Sequence, residues 1–180
     1  MRALLDTCVI YPTVMREMLL GVAAQGAFTP VWSARIIAEW LRAARKLGPA
    51  GQVQAQGEAA LLAKEWPEAE TGWSPSLEAR LWLPDRSDIH VLAAAVAASA
   101  DVNITVNAKD FPRNVLAEER ISRADPDSFL MGIWKARPEM LADVAAQVKA
   151  RAEEIDGRAW DMRRFLKKAR LPRLAKALAG

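Results

Sequence analysis

Short apolar segments alternate with longer segments of helical spacing along most of this chain. The apolar run of residues 2–5 stops at Asp6 and Thr7, which predicts a short buried strand that ends in polar groups. Residues 28–32 and 102–106 are also predicted strands, and residues 119–124 are a weaker one. These segments supply the strands of the expected sheet.

Between the strands, apolar side chains recur at the three- and four-residue spacing of one helix face. Helices are predicted from Pro12 to Gly26, from the N-cap Ser33 to Gly48-Pro49, around residues 53–66, and from His90 to Ala100. In the rest of residues 50–83 the spacing of apolar side chains is less regular, which predicts an irregular helical connector. After Asp125-Pro126 the chain predicts about four helices, divided by Pro138, Gly157 and Pro172. This alternation predicts an α/β fold with a mostly parallel sheet covered on both faces.

The composition limits the class of protein. The chain has 180 residues, of which 52% are hydrophobic, enough to bury a core, and 26% are charged. No apolar run approaches the roughly 18 residues of a bilayer span, so we expect no membrane insertion. Asp6 lies where a signal peptide would need its apolar segment, so no export signal is visible and we expect the cytoplasm.

Cysteine and histidine are scarce, since Cys8 and His90 are the single residues of their kinds. One cysteine cannot form an internal disulfide. One cysteine and one histidine are also too few ligands for a Cys/His zinc site within the chain, so we do not expect one. Any metal is therefore expected to be held by oxygen ligands.

Carboxylates follow the predicted strands. Asp6 follows the first strand, Asp110 follows the third, and Asp88 lies in the first turn of the helix between them. Functional groups gather at the carboxyl ends of parallel strands, and clustered carboxylates hold hard cations such as Mg²⁺ or Mn²⁺. Each residue also has an ordinary structural interpretation as a turn or helix-start aspartate. Glu39 could pair with Arg35 on the surface of its helix.

The positive charge is concentrated at the end of the chain. Residues 157–180 hold eight basic residues and one acid, a net of seven positive charges, so the rest carries four negative charges within the overall +3. From Met162 this segment is amphipathic. It fits a packed helix with solvated charges, and it also fits a face that attracts a polyanion, a class that includes RNA. The candidate residues for such binding are Arg163, Arg164, Lys167 and Lys168.

Four segments, residues 4–7, 32–39, 84–95 and 105–112, resemble PIN-domain ribonucleases. The similarity is closest to the bacterial branch that includes VapC-like toxins, and it spans about residues 2–130. The resemblance implies a three-layer α/β sandwich with a central mostly parallel sheet. On this basis we predict a nuclease domain over residues 1–130 and a helical C-terminal extension over residues 131–180, packed on it and basic from residue 157.

The resemblance also implies a set of site residues. The acidic catalytic positions are, by motif match, Asp6, Glu39, Asp88 and Asp110, with Asp6, Asp88 and Asp110 as metal ligands. The matching supporting positions are Thr7, Asp85 and Asn107. Cys8 stands where the family often has asparagine or another polar residue, and His90, which is common in this branch, is predicted to be structural.

The predicted function is therefore hydrolysis of RNA by metal-activated water, with Mg²⁺ or Mn²⁺ as cofactor. By family analogy the chain is the toxin of a toxin–antitoxin pair, with a small antitoxin and a homodimer as expected partners. An inactive PIN-like module that holds RNA or protein is the alternative. A phosphatase with an aspartate nucleophile fits less well, because Asp6-Thr7-Cys8 lacks a second carboxylate two residues on.

Overall fold

The computed structural model describes residues 1–178 and contains four strands and eleven α-helices within them. The strands are β1 (Arg2–Leu5), β2 (Thr29–Val31), β3 (Val102–Ile104) and β4 (Ser122–Ala124). The helices are α1 (Thr7–Ile10), α2 (Thr13–Ala24), α3 (Ala34–Ala44), α4 (Gly48–Glu65), α5 (Pro75–Arg80), α6 (Ile89–Ala97), α7 (Arg113–Glu118), α8 (Pro126–Ala136), α9 (Pro138–Asp156), α10 (Met162–Lys168) and α11 (Pro172–Ala177). The α/β class predicted from the alternation is confirmed.

The four strands form one sheet in the order β2-β1-β3-β4. Strand β1 is parallel to both of its neighbours, and its register pairs Leu4 with Val31 on one side and Leu5 with Ile104 on the other. Helix α6 packs against β1 and β3, and its alanines Ala93, Ala94 and Ala95 are fully buried. Small side chains allow this close approach of helix to sheet.

The chain divides into two compact units. The first comprises Met1–Tyr11 and Thr29–Arg123 and holds the sheet except for Ala124, the last residue of β4. The second comprises Pro12–Phe28 and the chain from Ala124 onward, and it is helical. The division at residue 130 into a nuclease domain and an extension stays a prediction, and residues 179–180 of that extension lie outside the described residues.

Within the second unit, helices α8 to α11 are the four that the prolines and Gly157 predicted. Gly157 adopts a left-handed φ of 64° at the end of α9, and Gly21 of α2 lies so close to α9 that a Cβ there would be 2.5 Å from Val144 Cγ1. Asp127 of α8 is buried and accepts hydrogen bonds from the backbone N–H groups of Arg173 and Leu174. This carboxylate therefore caps α11, whose first N–H groups have no partner within the helix.

The interpretation of Gly48-Pro49 as a helix stop was incomplete. Helix α3 ends at Ala44 and is followed by a short 3₁₀ turn, and Gly48, with φ at 79°, then begins the 18-residue helix α4. A proline in the first turn of a helix loses no hydrogen bond, so the same pair ends one helix and starts the next. The helix predicted around residues 53–66 is present as α4, and α5 is a second helix within the expected irregular helical connector. No helix in residues 1–178 is long and apolar enough to cross a bilayer.

Candidate functional site

Three aspartates lie together in the sheet-bearing unit. Asp85, Asp88 and Asp110 each offer one carboxylate oxygen, and these oxygens all lie within 4.8 Å of one another. We call them the acidic group. Asp85 is exposed, and the other two are half-buried. Oxygen-only groups of this kind are the ligands that Mg²⁺ and Mn²⁺ prefer.

Local structure explains how two members are placed. Asp85 Oδ1 accepts hydrogen bonds from the Ser87 N–H at 2.8 Å and the Ser87 hydroxyl at 2.7 Å, which caps the 3₁₀ turn of residues 86–88. Asp88 occupies the N-cap position of α6, but its side chain makes no capping hydrogen bond. Its Oδ2 instead accepts from Asn107 Nδ2 at 3.3 Å. Asp85 is therefore both a cap and a member of the group, whereas Asp88 has oxygen free for a ligand.

Asp88 is the electrostatic focus of the site. Burial raises its pKa to about 6, and the negative charges of Asp6, Asp85, Asp110 and Glu39 act in the same direction. Carboxylates without neighbouring bases repel one another, and either protons or a cation relieve that repulsion. The acids predicted from sequence therefore all lie close enough to act on one carboxyl group.

Asp6 lies at the carboxyl end of β1 and is 7% exposed. Its Oδ2 accepts a hydrogen bond from Thr105 Oγ1 at 2.6 Å and another from Cys8 Sγ at 3.1 Å. Burial, with help from the Asp6 charge, raises the pKa of the Cys8 thiol to about 12, so the thiol stays protonated and can donate. The cysteine thus supplies a hydrogen bond where the family often has asparagine. Asp6 Oδ1 accepts no hydrogen bond from residues 1–178.

Glu39 is contacted on both oxygens. Thr7 Oγ1 donates to Oε2 at 2.9 Å, while His90 Nε2 lies 2.9 Å from Oε1 in a bent geometry and Arg35 Nε lies 3.8 Å from the same oxygen. The His90 side chain is fully buried, and its ring stacks on Trp73 with centroids 6.3 Å apart. Burial lowers the pKa of His90 and outweighs the opposing Glu39 charge, so the imidazole is neutral at pH 7. The surface pair with Arg35 exists, but it is the longest of these contacts.

The donor set fits a divalent cation. The acidic group offers three carboxylates, two of them half-buried, and the like charges around Asp88 would be offset by a positive ion. The structure brings Asp88 and Asp110 together with Asp85. Asp6 and Glu39 lie outside the 4.8 Å group and act on Asp88 through their charges. Their roles as ligand and base stay predictions.

The four candidate RNA-binding residues lie on α10 in the helical unit. Arg163, Arg164, Lys167 and Lys168 are all exposed, while Phe165 and Leu166 of the same helix are buried. In the described part of the chain none of the four forms an ion pair with an acid, and Lys168 Nζ lies 4.8 Å from the ring centre of Trp160. The helix is therefore packed on one face and strongly positive on the other.

Two neighbours of the acids were missed by sequence reasoning. Thr105 follows Ile104 as Asp6 follows Leu5, and Leu5 and Ile104 are paired in the sheet, so the parallel register brings the hydroxyl to the carboxylate. The register was the missing signal. His90 is predicted to be structural, and the sequence does not reveal its contact with Glu39 because the 50 residues between them include the weakly patterned segment 50–83.

Comparison with known proteins gives one family. A family model described as PIN domain matches residues 2–109, which is more than half of the chain. No curated protein and no solved structure matches the chain significantly. The matched residues include the acidic positions at 6, 39, 85 and 88 and end one residue before Asp110.

Proposed function

Because this chain belongs to the PIN-domain family, whose members are generally metal-dependent nucleases, we propose that it is a ribonuclease that hydrolyses RNA phosphodiester bonds with Mg²⁺ or Mn²⁺. The observation that carries the proposal is the acidic group of Asp85, Asp88 and Asp110, with oxygens within 4.8 Å of one another. The finer assignments below are proposals on the same basis.

Residues Asp88 and Asp110 would hold the cation, with Asp85 and the free Oδ1 of Asp6 as further oxygen donors. A bound divalent cation would supply positive charge for the phosphate oxygens and favour deprotonation of the attacking water. Thr105 and Cys8 both donate to Asp6 Oδ2, which fixes the carboxylate and leaves Oδ1 facing no described donor. The protein thus holds the acid in place before any ligand arrives.

Glu39 is the proposed residue that orients the attacking water and accepts its proton. An ionised carboxylate can accept about four hydrogen bonds, and Thr7, His90 and Arg35 occupy at most three of these sites. One site therefore remains for water. The neutral His90 and the Thr7 hydroxyl restrict the rotation of the carboxylate, which is the positioning that general base catalysis needs. Such cleavage is expected to leave a 5′-phosphate and a 3′-hydroxyl.

Metal binding and cleavage should depend on pH through Asp88. Because the pKa of this carboxyl is raised to about 6, a proton competes with the cation below that pH, and Mn²⁺ affinity should fall about tenfold per pH unit there. Above pH 7 the affinity should be flat. Calorimetric titration with Mn²⁺ between pH 5 and 8, beside cleavage of a labelled RNA with and without chelator, measures both. Chelator-resistant cleavage would contradict the proposal.

The raised pKa of Asp88 should also affect the stability of the metal-free protein. The folded state binds the Asp88 proton more tightly than the unfolded state does, so this group costs stability as the pH rises from about 4 through 6. As the pH rises over this range, the melting temperature of the wild type should therefore fall relative to that of Asp88→Asn. A constant difference would mean that Asp88 titrates like an exposed aspartate.

We further propose that the protein acts in the cytoplasm as the toxin of a toxin–antitoxin pair, inhibited by a small antitoxin and able to form a homodimer. Support comes from the resemblance of residues 4–7, 32–39, 84–95 and 105–112 to VapC-like toxins. Growth of a bacterial host should stop when the wild type is expressed and continue when Asp110→Asn is expressed. Equal growth with both would argue for the inactive RNA- or protein-binding module instead.

A further inference from the structure

Three arginines line one surface pocket of the unit that carries the acidic group. The pocket has a volume of about 370 Å³ and is lined by Arg113, Ala117, Arg120, Ile121, Ser122 and Arg123. These residues come from α7, from the turn that follows it and from β4. We call it the arginine pocket.

The arginine pocket has no acid among its lining residues. Arg113 and Arg120 are exposed and form no ion pair within residues 1–178. Arg123 Nη1 donates to the carbonyl oxygens of Ala108 and Phe111, which are neutral acceptors. The nearby Glu119 is already bound by Arg80 through both of its oxygens. Guanidinium groups remain charged at every physiological pH, so the residues that line the pocket carry three positive charges and no negative charge.

Arg120 stands in a conformation that favours glycine. Its φ is 59°, directly after the C-cap Glu119, and its N–H donates to the carbonyl of Ala117 while that of Ile121 donates to Leu116. A helix that ends this way usually has glycine at this position. Replacing this arginine by glycine would remove the guanidinium group and relieve the backbone strain at the same time.

The pocket is connected to the proposed active site by the chain itself. Arg123 holds the carbonyl oxygens on either side of Asp110, and α7 begins at Arg113, three residues beyond Asp110. Three residues span at most about 11 Å. A polyanion that places one phosphate at the acidic group would therefore bring a neighbouring phosphate close to the pocket.

We propose that the arginine pocket binds a backbone phosphate of the RNA strand beside the nucleotide presented to the acidic group. This inference rests on the proposed ribonuclease function. Planar guanidinium forks match phosphate oxygens in a bidentate manner, whereas the acidic group alone would repel the strand. The pocket thus supplies attraction next to the carboxylates.

The test uses Ala117, an exposed residue of α7 in the pocket lining. Ala117→Glu places a carboxylate among the arginines, and Ala117→Gln adds the same bulk without charge. Binding of a single-stranded RNA of about twelve nucleotides is measured by fluorescence anisotropy in the full-length chain carrying Asp110→Asn, so that no turnover interferes. At 0.1 M salt, the Kd of Ala117→Glu should be at least about fivefold higher than that of Ala117→Gln. The slope of log affinity against log salt concentration should be shallower in the Glu variant by about 0.7 for each phosphate contact that is lost.

Two further variants control for the change in net charge and for a loss of stability. Ala60→Glu, at an exposed position of α4, changes the net charge equally and should leave the Kd of the parent unchanged. Arg120→Gly relieves the left-handed strain, so it should bind RNA more weakly while melting at the same temperature or higher. Loss of binding in Arg120→Gly without loss of stability cannot be explained by a structural role for Arg120.

The outcomes separate this inference from the proposed function. Equal Kd values for Ala117→Glu and Ala117→Gln, in a protein whose wild type cleaves RNA, would overturn the pocket and leave the ribonuclease intact. A charge-dependent Kd in a protein whose wild type never cleaves RNA would support the pocket and overturn the ribonuclease. If Ala117→Glu blocks binding of inorganic phosphate but not of RNA, the site serves a small anion and the inference fails.

Discussion

Asp110→Asn should abolish RNA cleavage while leaving the protein at least as stable as the wild type. Asp110 accepts no hydrogen bond and forms no ion pair among residues 1–178, and its charge contributes to the raised pKa of Asp88. Removing that charge relieves repulsion, so the melting temperature should stay or rise. The same change removes an anionic ligand, and losing even an outer partner of a metal site typically costs about 10–100-fold. We therefore expect a loss of more than about a hundredfold in kcat/KM.

The matched control is Glu65→Gln, which removes an exposed carboxylate at the end of α4 and should cleave like the wild type. Cleavage of a labelled RNA and Mn²⁺ binding by calorimetry are measured on both proteins, together with thermal melting. Wild-type cleavage by carefully purified Asp110→Asn would contradict the assignment of the acidic group. Asp6→Asn should also lose cleavage, but it replaces an acceptor bonded to Thr105 and Cys8, so stability is less cleanly separated there.

Replacing Arg163, Arg164, Lys167 and Lys168 together by glutamine should weaken RNA binding by up to about a hundredfold at low salt. Each phosphate contact contributes about 0.7 to the slope of log affinity against log salt for a single strand, so four contacts contribute about 3. The side chains are exposed and form no ion pair with an acid within the described residues, so their charge is available to a polyanion. Filter binding at several salt concentrations gives the slope.

Truncation would be a poorer test of the same surface. Helices α10 and α11 bury Phe165, Leu166, Leu174 and Ala175, so deleting them would expose apolar surface in the helical unit. A better control replaces Arg42, Arg45, Lys46 and Lys64 by glutamine, since these four are exposed in the sheet-bearing unit and change the net charge equally. Equal salt slopes for the two quadruple variants would mean that α10 attracts RNA only through the overall charge.

The sequence predicted those parts of the fold whose signals are local. Ser33 was predicted to cap a helix, and its hydroxyl accepts the N–H of Ile36; Asp125 likewise accepts the N–H of Ser128 at the start of α8. Strand β1 has its predicted bounds because an apolar run meets a polar residue at Asp6. Helix α4 was the hardest element, because only Ala55 and Leu62 of its 18 residues are buried and they form no continuous stripe.

The sequence names the candidate site residues, but it does not predict how they are arranged in space. Strand-end acids and four family-like segments point to Asp6, Glu39, Asp88 and Asp110. That Asp85 joins the acidic group while capping its own turn depends on the path of the 3₁₀ turn, which no periodicity encodes. The hydrogen bonds of Thr105 and Cys8 to one oxygen of Asp6 depend on sheet register and side-chain rotamers. Those are properties of tertiary packing.

The register of β1 against β3 also sets how much of the chain must be made before the Asp6 carboxylate is held in place. The hydrogen bond from Thr105 to Asp6 joins residues 99 positions apart, so it requires closure of a loop that includes β2, α3, α4 and α6. Contacts between residues so distant along the chain form late in folding, because the entropy of loop closure is lost before they contribute any stabilisation. During synthesis, Asp6 emerges more than a hundred residues before Asp110, and until Thr105 also emerges it lacks that hydrogen-bond donor. The hydrogen bond that holds the Asp6 carboxylate can therefore form only after the chain has been synthesised through Thr105.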